Sequence, residues 1–172
     1  MHFNTMFSLV FMAVALVGCA AGLQAPEPVV PPPGRPAVEP AGTAAGAADA
    51  SDAAILALSL VGTPYAAGGE SPERGFDCSG LVAYVYARAA QRRLPRSTFD
   101  LARAGSPVDP GQLQVGDLVF YNTRHRPYSH VGIYLGGSRF VHAPATGGVV
   151  RIEEMHVRYW TQRFDGARRL IF

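Results

Sequence analysis

The apolar pattern of this chain changes period once, close to residue 117, and that change restricts the fold more than any other feature. Ahead of it, Leu81, Val82, Val85, Tyr86 and Ala89 fall at i, i+1, i+4, i+5 and i+8, the single apolar face of an amphipathic helix. Beyond it the pattern recurs with a period of two, as strands require. The spacing predicts helices over 52–61, from Asp77 or Cys78 onward, and over 96–104. Ser51 is placed to cap the first, which Gly62 and Pro64 stop. A turn over 111–117 leads into strands over 118–121, 130–135, 139–143 and 149–152, with Gly136-Gly137 between the central two. A short helical segment over 159–164 and a closing strand over 167–172 complete the pattern. Helices first and an antiparallel sheet second define an α+β fold.

The first fifty residues carry neither period. Residues 7–17 form an apolar run too short to span a bilayer, which takes roughly 20 residues. The run has the length of a signal-peptide apolar region. It ends in Leu16-Val17-Gly18-Cys19, which resembles a bacterial lipobox. That resemblance implies a signal peptide over 1–18 and lipidation at Cys19, whose acyl chains would hold the protein to a membrane. Ala20, not Asp, follows the cysteine, which under Gram-negative sorting rules implies the outer membrane, facing the periplasm. The leading MHFNTM, with no Lys or Arg, departs from the pattern, and a plain secretory signal with an incidental cysteine is the alternative. Residues 19–50 hold seven of the fourteen prolines among Ala and Gly. Such a segment reads as a polyproline II or unstructured tether, reaching at most roughly 90 Å at about 3.1 Å per residue. Residues 51–172 remain as one folded domain with a core of its own.

Charge excludes some chemistry. All fifteen basic residues are arginine, so neither lysine Schiff-base catalysis nor a P-loop lysine is available. The net charge of +2 argues neither for nor against nucleic acid, and none is expected as a partner. Nothing points beyond a monomer.

The stretch GFDCSGLVAYVY, 75–86, sets Cys78 at a helix N-terminus. There the macrodipole and free backbone N–H groups favour a thiolate, and the same N–H groups can stabilise an oxyanion. A cysteine nucleophile also needs a base, usually histidine, and a group that orients it. His130 and His142 lie inside apolar strand patterns, where a polar ring needs a reason. His125 and His156 lie in polar surroundings. Side chains alternate faces along a strand. A two-residue loop at Gly136-Gly137 would therefore send His130 and His142 to opposite faces. An odd loop, for example 136–138, or a bulge puts them on one face, with Val131, Ile133 and Val141 on the other. The alternatives stand beside this reading. A lone cysteine is commonly a small buried apolar group, a lone strand histidine is commonly structural, and Cys/His/His could bind zinc, although the spacing matches no common zinc module.

The stretches VGTPYAAGG (61–69), GFDCSGLV (75–82), LPRSTFD (94–100), VGDLVFY (115–121), SHVGIYLGGSRFVHAP (129–144) and YWTQRFDGARRL (159–170) together resemble the NlpC-type papain-like cell-wall peptidases. Within them the likeness is to the Spr/MepS-type murein endopeptidase lipoproteins. The resemblance implies a papain-like α+β fold, with N-terminal helices packed on a C-terminal antiparallel sheet. It also implies Cys78 as nucleophile, His130 as general base and His142 as the residue that orients His130. Tyr65 would face the oxyanion, and Asp77 and Ser79 would contact the substrate stem or its free amine. The implied substrate is a peptidoglycan stem peptide, cut at the D-Ala–diaminopimelate crosslink or at the γ-D-Glu–diaminopimelate bond, with no metal or cofactor. Leu101 departs from the Gln common at that position. The Arg-rich loop 122–129 borders the expected cleft and either tunes substrate choice or is a solvated turn, the turn being the preferred reading. A non-catalytic peptidoglycan-binding lipoprotein and a papain-like acyltransferase are the competing functions.

Overall fold

A computed structural model of the protein describes residues 41–171. The expected signal peptide, the expected lipidation site Cys19 and most of the expected tether lie outside the described residues. The first helix, α1 (Ala41–Ser59), starts well before the expected cap at Ser51. Its leading turns follow Pro40 and are rich in Ala, the strongest helix former, so the helix extends into what reads as tether. It ends as expected, with Gly62 at φ +94 turning the chain. Two short strands, β1 (Glu70–Ser71) and β2 (Gly75–Phe76), then form a small antiparallel pair ahead of α2 (Cys78–Ala89). The expected third helix is one turn, α3 (Thr98–Leu101), capped by Ser97.

After β3 (Ser106–Val108) and a 3₁₀ turn at Pro110–Gln112 come β4 (Leu118–Tyr121), β5 (His130–Gly136), β6 (Arg139–His142), β7 (Arg151–Glu154), α4 (Arg158–Thr161) and β8 (Phe164–Arg169). The strands make one six-stranded sheet in the order β3-β8-β4-β5-β6-β7, antiparallel throughout. β7 and β8 are displaced from their expected bounds. Val150 instead exchanges hydrogen bonds with Gly62 and Thr63, each 2.8 Å, and β8 takes its bounds from pairing with β4 and β3.

Each face of the sheet has its own apolar cluster. On one, Leu118, Phe120, Val131, Ile133 and Val141 pack under Ala53, Ala57, Leu81 and Val85 of α1 and α2. On the other, Val119, Tyr121, Phe140 and Ala167 gather around Trp160 of α4. Val131, Ile133 and Val141 therefore share the face expected of them. Asp117 ties the sheet's start to its end. Its buried carboxylate takes two hydrogen bonds from Arg169, 2.8 Å from Nε and 2.7 Å from Nη2.

The β5–β6 hairpin resolves the parity question. Ile133 pairs with Val141 and Tyr134 with Phe140, but Gly136 pairs with Arg139. Leu135 is thus an extra residue, a bulge. The turn is the tight pair Gly137-Ser138, at φ +57 and +58, the left-handed conformation that two-residue hairpins use. The bulge, not a three-residue loop, supplies the odd residue that returns His130 and His142 to one face.

Candidate active site

Asp77 sets the geometry around Cys78. It caps α2, its Oδ1 accepting from Gly80 N at 2.6 Å and from Ser79 Oγ at 2.9 Å. This cap takes up the Gly80 amide of the first turn. Arg96 braces the arrangement from the segment before α3, with Nη1 3.4 Å from Asp77 Oδ1 and from Ser79 Oγ, Nη2 3.4 Å from the Gly68 carbonyl, and Nε 3.3 Å from Glu70. A Cβ at Gly80 would collide with the Gly69 carbonyl oxygen and with Arg96, so the glycine of the CSG motif makes room for the brace. Tyr65 bridges to Phe76, two residues ahead of Cys78, and packs with Cys78 against the helix-side core. The structure thus brings the Tyr65 backbone to the strand that leads into Asp77, Cys78 and Ser79. Asp77 and Ser79 are already engaged with each other and with Arg96.

Across from this lies the histidine pair. His130 Nε2 is 2.7 Å from His142 Nδ1, the rings nearly perpendicular at 85°, and both side chains are buried. With Nε2 committed to His142, Nδ1 is the His130 nitrogen free to accept a proton. Gly132 shares this face with both histidines. A Cβ there would press on Phe140 at 2.5 Å and approach His142 Cβ at 3.3 Å. The amide of Val131, next to His130, acts on the Cys78 sulfur by hydrogen bonding, which ties the thiol to the same end of β5.

Burial fixes the protonation states. Both histidines are held well below the ordinary imidazole range, first by desolvation, then by Arg124 acting on His130 and by His130 and Arg151 acting on His142. They are neutral at neutral pH. Burial also pushes the Cys78 thiol up, and Asp77 adds to this. The Val131 and Ser79 amides and Arg124 pull the other way without overcoming it. At neutral pH the Cys78 thiol and the His130 imidazole are both uncharged. The thiolate that the helix N-terminus was expected to favour is outweighed by desolvation and by the carboxylate beside it.

Trp160 is the residue the sequence reading passed over. Its ring stacks on His130, 5.8 Å between centroids at 23°, and meets His142 edge to face at 5.0 Å and 89°. Its Nε1 donates to Glu153 Oε2 at 3.4 Å, and Glu153 is paired with Arg151 at 2.7 Å. Trp160 is the chain's one tryptophan, inside a helical spacing. Only its rarity could have drawn notice, because nothing local links it to histidines on other strands. Among the described residues, no group of three or more His, Cys, Asp or Glu is arranged to hold a metal ion. Cys78 is a free, half-buried cysteine. Cys19 lies outside the described residues.

The NlpC/P60 family profile matches residues 62–169, a span that includes Tyr65, Asp77, Cys78, Ser79, His130, His142 and Trp160. The chain belongs to the NlpC/P60 family. It is similar to the murein DD-endopeptidase MepH of Escherichia coli K12, 40% identical over 117 residues, covering 66% of this chain and 43% of that protein. To the murein DD-endopeptidase MepS/murein LD-carboxypeptidase of the same strain it is 39% identical over 110 residues, covering 64% of this chain and 57% of the relative. The chain therefore spans about half the length of these relatives. The crystal structure of the NlpC/p60 domain of the peptidoglycan hydrolase SagA superposes with a TM-score of 0.60 at 34% identity, covering 69% of this chain and 97% of that domain. The NlpC/P60 neighbours and the helix-plus-antiparallel-sheet architecture agree with the expected papain-like α+β fold.

Proposed function

We propose that this protein is a cysteine endopeptidase of the bacterial cell wall, cutting amide bonds in peptidoglycan stem peptides. The observation that carries the reading is the buried His130–His142 pair at 2.7 Å, with His130 on the strand whose Val131 amide acts on Cys78 at the head of a capped helix. The kinship to murein endopeptidases supports the substrate class.

Cys78 is the nucleophile. His130 takes the thiol proton through Nδ1 as Sγ attacks the scissile carbonyl carbon, so that the charged pair forms during attack. The resulting imidazolium donates from Nε2 to His142 Nδ1. His142 stays neutral because its own protonation is opposed by burial and by two neighbouring cations. It orients His130 and accepts from it without taking the proton. The Cys78 amide and Tyr65 serve the oxyanion. The C–N bond then breaks, the leaving amine takes the proton from His130, and the acyl group remains as a thioester. Water, deprotonated by His130, releases the acid and restores the thiol. Asp77 and Ser79 line the approach to the nucleophile, with their inner lone pairs held by Gly80 and Arg96.

The setting completes the proposal. Cys19 carries the lipid, residues 19–40 are the tether, and the domain works as a monomer at the periplasmic face of the outer membrane.

The test is mass spectrometry of peptidoglycan fragments after incubation with the full chain, wild type against Cys78→Ala. New amine and acid ends made only by the wild type support the reading, and their masses name the bond. A new amide or ester would mean acyl transfer. Binding without cleavage by either protein would mean a scaffold.

A further inference from the structure

The loop between β4 and β5 is built more firmly than a solvated turn. Tyr121 and His130 are register partners at its base, so residues 122–129 cover the end of the sheet that carries the catalytic histidine. Ser129 is buried, and its Oγ accepts from Thr123 N at 3.0 Å and from Arg124 N at 3.1 Å. The far limb is held where Tyr128 N donates to Asp165 Oδ2 at 2.7 Å, with the Tyr128 ring edge-on to Phe120. Between these anchors Arg124, His125 and Arg126 are exposed. Among the described residues, no carboxylate lies within ion-pair distance of Arg124. The loop thus holds the Arg124 backbone beside Ser129, next to His130 at the start of β5, and its positive charge acts on both His130 and the Cys78 thiol.

The direction of the reaction sets which part of the substrate it meets. His130 must reach the leaving nitrogen to protonate it, so the leaving residue sits on the His130 side, where Ser129 pins Arg124. We propose that Arg124 is a specificity-determining residue that binds a free carboxylate on the leaving amino acid, the one borne by the carbon attached to the scissile nitrogen. This rests on the endopeptidase reading and narrows it. In the D-Ala–diaminopimelate crosslink the leaving amine sits on a carbon that also bears a free carboxylate. In the γ-D-Glu–diaminopimelate bond of a longer stem, the corresponding carboxyl is consumed in the next amide. A guanidinium offers that carboxylate two parallel N–H donors. The subsite therefore favours the crosslink.

The experiment compares two crosslinked stem-peptide dimers, identical except that the carboxylate beside the scissile amide is free in one and a carboxamide in the other. Wild type and Arg124→Ala are assayed on both, as full chains, with thermal melts to verify folding. Wild type is expected to prefer the free acid by about 10- to 100-fold in kcat/KM, the scale of a charge-assisted hydrogen bond. In Arg124→Ala that ratio falls to about one, and Arg124→Lys recovers part of it. In a Cys78→Ala background, adding Arg124→Ala weakens binding of the free acid more than binding of the carboxamide. Equal losses on both substrates would overturn the proposal and leave Arg124 as a charge acting only on Cys78 and His130. A wild type that cuts both without preference removes the subsite and leaves the endopeptidase standing. A wild type that cuts neither removes both.

Discussion

His130 Nε2 meets His142 Nδ1 at 2.7 Å because Leu135 is bulged out of the hairpin between them. Without that residue the two-residue turn at Gly137-Ser138 would put the rings on opposite sides of the sheet, since a one-residue slip reverses every side chain. The bulge is thus part of the geometry of the pair, although Leu135 lies away from both rings along the strand. Gly132 serves the pair by leaving room for the Phe140 ring that packs beside His142.

The pair predicts an order among variants. His130→Ala loses the base and slows hydrolysis by about 10²–10⁴-fold. His142→Ala leaves Nε2 of His130 unpartnered and slows it by a comparable factor. His142→Gln keeps an acceptor near Nδ1 and retains more activity than His142→Ala. Steady-state kinetics on a crosslinked muropeptide checks the order; equal activities for Gln and Ala at position 142 would remove the acceptor role.

Trp160 predicts a pH effect. Its ring covers His130, and burial is the main cause that lowers the proton affinity of that imidazole. Trp160→Leu admits water and lets the affinity rise towards the ordinary value near 6.5. The acid limb of the kcat/KM profile then moves to higher pH, and kcat falls more than KM changes. A profile that stays in place while activity falls would limit Trp160 to packing.

Stability follows from the same burial. Both histidines bind protons less readily folded than unfolded. Below about pH 6.5 the unfolded chain therefore holds more protons. Stability is full above that pH and falls as pH drops from there towards the folded values, by at most about 1.4 kcal/mol per pH unit for each histidine. Urea melts between pH 7.5 and roughly 5 should show the slope, and His142→Gln should reduce it.

The link between Asp117 and Arg169 is structural. Arg169→Met leaves the Asp117 carboxylate, only 2% exposed, with the Gln114 amide as its remaining partner. Because Arg169 is itself partly exposed, the expected loss is about 2–3 kcal/mol, at the low end for a broken buried pair. A urea midpoint that does not move would mean that water reaches the carboxylate. Asp117→Asn combined with Arg169→Met should recover part of the loss.

How far the sequence reached depended on whether a feature was local. α2 and the central strands carry long apolar periods and fall close to where the spacing predicts them. The parity of His130 and His142 demanded an odd residue, but nothing local marks Leu135 as the bulge. The start of α1 was hidden because Ala has no apolar face to show a period, and the neighbouring prolines suggested tether. β1 and β2 are two residues each, too short for any period, and β3 contains Pro107, tolerated because β3 is an edge strand. The charge state of Cys78 depends on burial and on Asp77, so helix position alone pointed the wrong way. Trp160 reaches the histidines only through the tertiary fold.

The most direct measurement is trapping of the covalent intermediate. The full chain is mixed with crosslinked muropeptide, quenched in acid within the first turnover, and mapped by peptide mass spectrometry. The account predicts an acyl group on the peptide containing Cys78, of the mass of the substrate's acyl half, formed slowly in His130→Ala and absent in Cys78→Ala. Turnover that persists in Cys78→Ala, or an acyl group on any other residue, would contradict it.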